Sequence, residues 1–259
     1  MTPAYWNPTR RVIADGALAQ LPQVVAGFGA TRILLVLGAQ WFRGSPFYAA
    51  CRSALTGTVV EAPPVRSQPT VEQVAEAAGT LRRRAEGFDL VVGIGGGSVL
   101  DVGKLLAALL PQRRDVGPDD LERGAAFEEK PLPFIALPTT AGTGSEVTPF
   151  ASVTTRAQKK MTLEHTWLFP QAAVIDPLIT HSMPPYITAC TGFDALSQAI
   201  ESFWALRHTP FSDTHALRAA TLVLEHLESA VRAPLDRVAR FAMSLAASEA
   251  GLAISQTRT

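Results

Sequence analysis

The stretch Val91-Val-Gly-Ile-Gly-Gly-Gly-Ser-Val-Leu-Asp-Val-Gly-Lys104 runs an apolar strand pattern straight into three consecutive glycines and then opens a helix. Asp89 to Ile94 reads as a buried strand, because its apolar residues form a short continuous run. Gly95, Gly96 and Gly97 carry no Cβ to obstruct an approaching anion or to forbid positive φ. Ser98 is expected to cap the helix, with Asp101 three residues on in the capping-box position. The first-turn N–H groups and the positive end of the helix dipole would then face a pyrophosphate. The same residues also suit a tight strand-to-helix turn that binds nothing. The spacing departs from the dinucleotide fingerprint G-x-G-x-x-G, whose three positions fall on Gly93, Gly95 and Ser98. By itself the stretch points to a nucleotide or a phosphate.

Working outward, Thr31 to Leu37 is a continuous apolar strand closed by Gly38, Pro46 to Leu55 a short helix, and Thr58 to Glu61 a strand. Thr70 to Glu86 reads as a charged amphipathic helix. Unbroken apolarity in a strand argues for burial on both faces, as in a parallel sheet. Beyond the glycines the helix stops at Pro111, and the polar run Gln112 to Lys130 reads as a surface excursion. Strands follow at Leu132 to Leu137 and Ala173 to Asp176. Strands alternating with helices are the rhythm of a doubly wound α/β sheet.

The strand Leu132 to Leu137 ends in a second informative loop, Pro138-Thr-Thr-Ala-Gly-Thr-Gly-Ser-Glu146. The hydroxyls of Thr139, Thr140, Thr143 and Ser145 lie just beyond the carboxyl end of a strand, where an open α/β sheet places its ligand crevice. A polar turn capping a helix would use the same residue types. Two such loops after two buried strands agree on a dinucleotide.

From about residue 184 the pattern is helical: Pro185 to Ala205, Ser212 to Val231 and Pro234 to Ser255. The boundary falls near residues 178–182, giving an α/β domain over 1–180 and an all-helical domain over 181–259. Ser212 or Asp213 is expected to cap the middle helix, and Leu217, Ala220, Leu224, Leu227 and Val231 to form its buried stripe. In the first helix Asp194 and Gln198 share a face, one turn apart, beside an apolar stripe of Phe193, Leu196, Ile200 and Phe203. Such an oxygen-bearing pair could hold a metal; the other reading of Asp194 is a residue favoured by the helix dipole.

Composition bounds the function classes. With 259 residues, 47% hydrophobic and 18% charged, the chain can bury a large core. Lys plus Arg equals Asp plus Glu at 23 each, so no global field favours nucleic acid or an anionic membrane. Cys51 and Cys190 are too few for a disulfide framework or a thiolate metal site, and a reducing cytoplasm is the expected compartment. The start, Met1-Thr-Pro-Ala-Tyr-Trp, lacks the pattern of a signal peptide, and no apolar run is long enough to span a bilayer.

Four motifs in order carry a family resemblance: Gly95-Gly-Gly-Ser-x-x-Asp101-x-x-Lys104, Leu137-Pro-Thr-Thr-x-Gly-Thr-Gly-Ser-Glu146, Asp176-Pro177 and Gly192-Phe-Asp-Ala-Leu196. Together they resemble the iron-containing (group III) alcohol dehydrogenases, over nearly the whole chain. The resemblance implies a Rossmann-like parallel-sheet domain, an all-helical domain, and NAD(P)H with a divalent metal, iron or zinc, in the cleft between them. It places Gly38, Gly95, Gly96, Gly97, Ser98 and Asp101 at the cofactor, with Gly96, Gly97 and Ser98 on the pyrophosphate. Thr139 and Thr140 follow toward the nicotinamide half, Thr143 is also at the cofactor, Ser145 and Lys160 lie at the ribose, and Asp194 is at the metal. Asp194 and Lys160 are the implied catalytic residues, and a homodimer is implied as well. Metal chemistry of this kind polarises a small aldehyde while the nicotinamide delivers hydride.

Two departures accompany the resemblance. The family has His where this chain has Gln198, whose amide oxygen is a weaker ligand for iron or zinc than imidazole. The family's two further histidines belong to helices beyond Thr259, so the helical domain is expected to be C-terminally truncated and the metal site incomplete. Within the family Asp194-Ala-Leu-Ser-Gln-Ala-Ile-Glu-Ser-Phe-Trp204, together with Ser255-Gln-Thr-Arg-Thr259, looks most like the branch that reduces phosphonoacetaldehyde to 2-hydroxyethylphosphonate. Arg258 is either a partner for that phosphonate or a cation at a helix C-terminus. Gly38 leaves no carboxylate against a 2′-phosphate, and with Arg43 nearby it leans toward NADPH or use of both cofactors. The alternatives are a truncated cofactor-binding chain, or a related polyol-phosphate dehydrogenase or dehydroquinate-synthase-like enzyme.

Overall fold

The computed structural model describes residues 6–38, 42–84, 86–124 and 127–259. Six parallel strands form one sheet: β1 (Arg10–Ile13), β2 (Arg32–Leu37), β3 (Thr58–Glu61), β4 (Leu90–Gly95), β5 (Phe134–Pro138) and β8 (Ala172–Ile175), ordered β1-β8-β5-β4-β2-β3. A separate antiparallel hairpin pairs β6 (Phe150–Thr154) with β7 (Lys160–Glu164). The helices of this part are α1 (Leu21–Ala26), α2 (Pro46–Ala54), α3 (Val71–Arg82), α4 (Gly97–Leu109) and the short α5 (Pro118–Glu122).

Alternate residues of the central strands point to opposite faces, and both faces are covered. Leu34, Val36 and Val91 pack with α3 and α4, while Ile33, Leu35, Leu90 and Val92 pack with α1 and α2. This is the doubly wound arrangement that the unbroken apolar strands require. After β3 the chain crosses back to the far side of β2 to make β4, so the order reverses between β2 and β4. A crevice at the carboxyl ends of strands at such a reversal is where open α/β sheets bind ligands.

Three long helices follow: α6 (Pro185–Trp204), α7 (Pro210–Arg232) and α8 (Arg237–Thr257). They share a core of small residues, Ala195, Ala199, Ala219, Val223, Ala246 and Ala250 among them. No helix among the described residues is long and apolar enough to cross a membrane.

Several sequence expectations are corrected. Helix α4 starts at Gly97 with Gly96 as its N-cap and no capping side chain. Ser98 is therefore inside the first turn, and Asp101 forms no capping box because its oxygens are taken elsewhere. Helix α3 ends at Arg82, short of Glu86, and Arg82 donates to the Gln112 carbonyl at 2.5 Å. The run 112–130 is mostly exposed or half-buried, as expected, but its first residue is not: the buried Gln112 side chain donates to the carbonyls of Ala108 and Glu129 and accepts from the Glu128 and Glu129 N–H groups.

Helix α7 is capped by Thr209 in a reciprocal box with Ser212, earlier than expected. Its buried face is Ala216, Ala219, Val223 and Ala230, whereas Leu217 and Leu224 are 60% and 73% exposed. Small side chains let α7 lie close against α8; Ala220 and Leu227 of the expected stripe pack against this core, while Leu217 and Leu224 turn away. The Phe193, Ile200 and Phe203 stripe of α6 is likewise exposed. Strand β1 and the β6–β7 hairpin had no clear sequence signal.

Candidate active site

The two Gly/Thr loops meet closely because the glycine loop carries no side chain where Thr140 and Thr143 touch it. A Cβ on Gly97 would lie 2.7 Å from Thr143 Cγ2, and one on Gly96 would lie 3.3 Å from Thr140 Cγ2. Gly95 closes β4 under Val99, at 2.5 Å from a notional Cβ, and its carbonyl accepts the Thr139 N–H at 2.9 Å. Val99 and Leu100 donate to the Gly96 carbonyl. The N–H groups of Gly97 and Ser98 stay without a partner in the preceding turn, at the positive end of a long helix. This cradle suits an anion.

Beside it opens a cleft of about 720 Å³. Gly97, Ser98 and Thr143 border one side, Asp101 and Ser145 the floor, Gln158, Lys160 and Thr162 the hairpin side, and Asp194, Gln198 and Glu201 the helical side. Gln68 and Pro69 line it too. Gln68 and Gln158 hold φ of 54° and 57°, left-handed conformations unusual for residues with a side chain.

The floor is a buried polar cluster. Asp101 Oδ1 accepts the Ser145 hydroxyl at 2.6 Å and Oδ2 accepts the Ser152 N–H at 2.9 Å. Lys104 Nζ donates to Ser145 Oγ at 2.8 Å, Thr148 Oγ1 at 3.2 Å and the Phe150 carbonyl at 2.8 Å. Burial pushes the Asp101 carboxyl up, against the pull of Lys104, Ser145 and Ser152. It pushes the Lys104 ammonium down to about 8, against Asp101 and Glu146. Glu146, also buried, is raised to about 6 by desolvation, with its own backbone N–H, Lys104 and Arg11 opposing.

On α6, Asp194 keeps solvent access at the cleft, yet loss of hydration still raises its carboxyl. A hydrogen bond from Gln198 and the charge of Lys160 oppose that rise. Gln198 Oε1 is buried with no partner. An amide that gives its N–H to Asp194 leaves an acceptor free for whatever enters.

Of the residues singled out from the sequence, Gly97, Ser98, Asp101, Thr143, Ser145, Lys160, Asp194 and Gln198 border one cleft. Gly38, Gly95, Gly96, Thr139 and Thr140 do not border it, and Thr139 is buried with its hydroxyl unpartnered. Arg258 caps α8 and ion-pairs through Nε with Glu164 at 2.7 Å, so its guanidinium is already engaged. Arg43 is engaged with Glu61 at 2.5 Å. Lys104, Gln68, Gln158 and Glu201 were missed. Lys104 had a signal, since a lone cation on an otherwise apolar helix has to be buried with partners.

Residues 8–177 match the family described as iron-containing alcohol dehydrogenase, and residues 188–259 match its C-terminal region. The chain belongs to the iron-containing alcohol dehydrogenase family. It is 37% identical over 247 residues to long-chain-alcohol dehydrogenase 1 of Geobacillus thermodenitrificans, a match covering 92% of this chain and 60% of that protein. The crystal structure of sulfoacetaldehyde reductase from Bifidobacterium kashiwanohense in complex with NAD+ superposes with a TM-score of 0.91 at 36% identity, over 99% of this chain and 68% of that one. An iron-containing alcohol dehydrogenase of Thermotoga maritima gives 0.90 at 32% identity, over 99% and 70%. The chain thus spans about three-fifths of the Geobacillus relative's length.

The family implies a nicotinamide cofactor and a metal, and the residues present fit the two differently. The uncapped α4 start, the side-chain-free cradle and the roomy cleft suit a dinucleotide. For the metal, Asp194 and Gln198 supply two oxygens, one of them neutral. Among the described residues no group of three or more His, Cys, Asp or Glu side chains is arranged to hold an ion. A catalytic divalent site generally takes about three protein ligands. The residues of this chain alone do not fit iron or zinc. His215 instead contacts Glu249 at 2.5 Å, between α7 and α8.

Proposed function

We propose that this chain is the cofactor-binding portion of an NAD(H)-dependent oxidoreductase that interconverts a small aldehyde and its alcohol. One observation carries the reading: the bare glycine start of α4 opens onto the cleft shared by Lys160 and Asp194, in a chain of this family. Gly97 and Ser98 would hold the pyrophosphate through their N–H groups, and Thr143 and Lys160 would hold the parts that extend along the cleft. The nicotinamide, when bound, supplies the hydride. Asp194, hydrogen-bonded by Gln198 and facing the charge of Lys160, is a carboxyl that the helical side presents to the cleft.

For the substrate we propose an aldehyde bearing an anionic head, a phosphonate or a sulfonate. Support comes from the sulfoacetaldehyde reductase likeness and from Lys160, a cation inside the cleft. Gly38 sets no carboxylate against a 2′-phosphate, so NADPH is a second acceptable cofactor. Titrating the purified chain with NADH and NADPH by fluorescence tests the cofactor, and silence at millimolar concentrations of both sinks the reading. Assaying the protein on phosphonoacetaldehyde, sulfoacetaldehyde and uncharged aldehydes tests the substrate. Indifference to the anionic head removes that part.

A further inference from the structure

We propose that Lys104 is a positioning residue for the cofactor cleft: its buried ammonium group fixes the β6–β7 hairpin, and with it Lys160, against the glycine helix. The inference rests on reading the cleft as the NAD(H) site. Lys104 itself has no exposed side-chain surface and does not border the cleft. All three of its N–H bonds are committed, and each goes to the segment leading into the hairpin: Ser145 Oγ, Thr148 Oγ1 and the carbonyl of Phe150, the first residue of β6.

One turn earlier on the same helix, Asp101 completes the clamp. It stands 3.8 Å from the ammonium, receives the Ser145 hydroxyl, and receives the Ser152 N–H from inside β6. The far end of β6 is tied by the Thr154 N–H to the Pro69 carbonyl at 2.8 Å. Strand β6 is thus pinned at its start by α4 and at its end by the 68–70 segment. Its partner β7 inherits that placement through the register Ser152 to Thr162 and Thr154 to Lys160. Phe150 and residues 152–154 of β6, with the Gln158 turn and Lys160 and Thr162 of β7, are the hairpin's contribution to the cleft. A buried cation is often no more stabilising than a well-packed apolar residue, so what the three bonds of Lys104 add is the fixed placement of this one element.

The test compares Lys104→Met with Gln112→Ala, which removes another buried hydrogen-bonding hub of the same α/β part, away from the cleft. Losing charge-assisted bonds in Lys104→Met should raise the NADH dissociation constant about tenfold or more. Amide hydrogen exchange should quicken in residues 148–164, with the 185–257 helices unchanged. Gln112→Ala should lower the melting temperature without moving the dissociation constant. Thr148→Val, a milder loss of one acceptor, keeps the test available should Lys104→Met not fold; it should shift both readouts the same way, and Thr148→Ser should restore them. Unchanged affinity and unchanged exchange in the Lys104 and Thr148 variants overturn the inference, as does an even rise of exchange across sheet and helices. Wild-type chain that binds no NADH defeats the reading of the cleft instead, and the exchange pattern then still decides the clamp.

Discussion

Gly144 and Gly251 pack backbone against backbone. A Cβ on Gly144 would lie 2.5 Å from the Gly251 Cα, and one on Gly251 would lie 2.7 Å from the Gly144 carbonyl oxygen. The contact joins the loop that carries Ser145 to the middle of α8, so the helical part and the cofactor loop share one surface. Gly251→Ala sets two effects against each other. Alanine gains up to about 1 kcal/mol of helix propensity. Forcing a methyl into a closed contact costs about 1–3 kcal/mol. The second should win, with a lower melting temperature and weaker NADH binding; a raised melting temperature would show that the loop yields freely.

Glu146 should give the stability a pH dependence. Its folded pKa of about 6 lies above the ordinary 4.5, so between those values the folded chain binds more protons than the unfolded one. The contribution of Glu146 is therefore fully present below pH 4.5 and is lost as the pH rises through 6. The span corresponds to on the order of 2 kcal/mol. Urea denaturation from pH 4.5 to 7 should show wild type losing ground to Glu146→Gln by that order. Parallel curves for the two proteins would contradict the assignment.

The α/β part was legible because its strands are continuous apolar runs and its ligand loops interrupt them with glycine, a pattern that only a sheet covered on both faces produces. Strand β1 was hidden because Arg10 and Arg11 break its apolarity, and it earns its place by pairing with β8. The hairpin was hidden because its inward residues, Ala151, Val153 and Leu163, alternate with polar ones over only five positions per strand. Within the site, residue types marked the glycine loop and Asp194. Lys104 stood out as the lone cation of an apolar helix, but no residue type set Gln112 apart from the polar run that it opens. On α7 the expected stripe holds at Ala220 and Leu227 and fails at Leu217 and Leu224, because the face turned to α8 is lined by small residues and bulk alone does not mark burial.

That correction is testable by truncation. Val223 is 1% exposed and Leu224 is 73% exposed on the same helix. Val223→Ala should destabilise the chain by about 2 kcal/mol, the worth of a fully buried side chain of that size. Leu217→Ala and Leu224→Ala should each stay within about 0.5 kcal/mol of wild type, as surface substitutions do. Chemical denaturation of the three variants decides it. A large loss at Leu224 would mean that this face is covered in solution.

Metal uptake is the sharpest consequence of the donor set. Asp194 and Gln198 stand one turn apart on α6, both bordering the cleft, with the Gln198 oxygen unpartnered. The amide is neutral and ranks below imidazole as a ligand for iron or zinc. The chain as it stands should therefore carry well under one tightly held divalent ion per molecule after dialysis, as read by elemental analysis. Gln198→His replaces the amide by imidazole at i, i+4 from the carboxylate and should increase zinc or iron uptake by about tenfold or more, the scale on which ligand-sphere changes act on affinity. NADH binding at the α4 cradle should be unaffected, because Gly97 and Ser98 lie on a different element. A stoichiometric ion in the unaltered chain would refute the ligand count, and would place the missing donors among groups other than histidine, cysteine and the carboxylates.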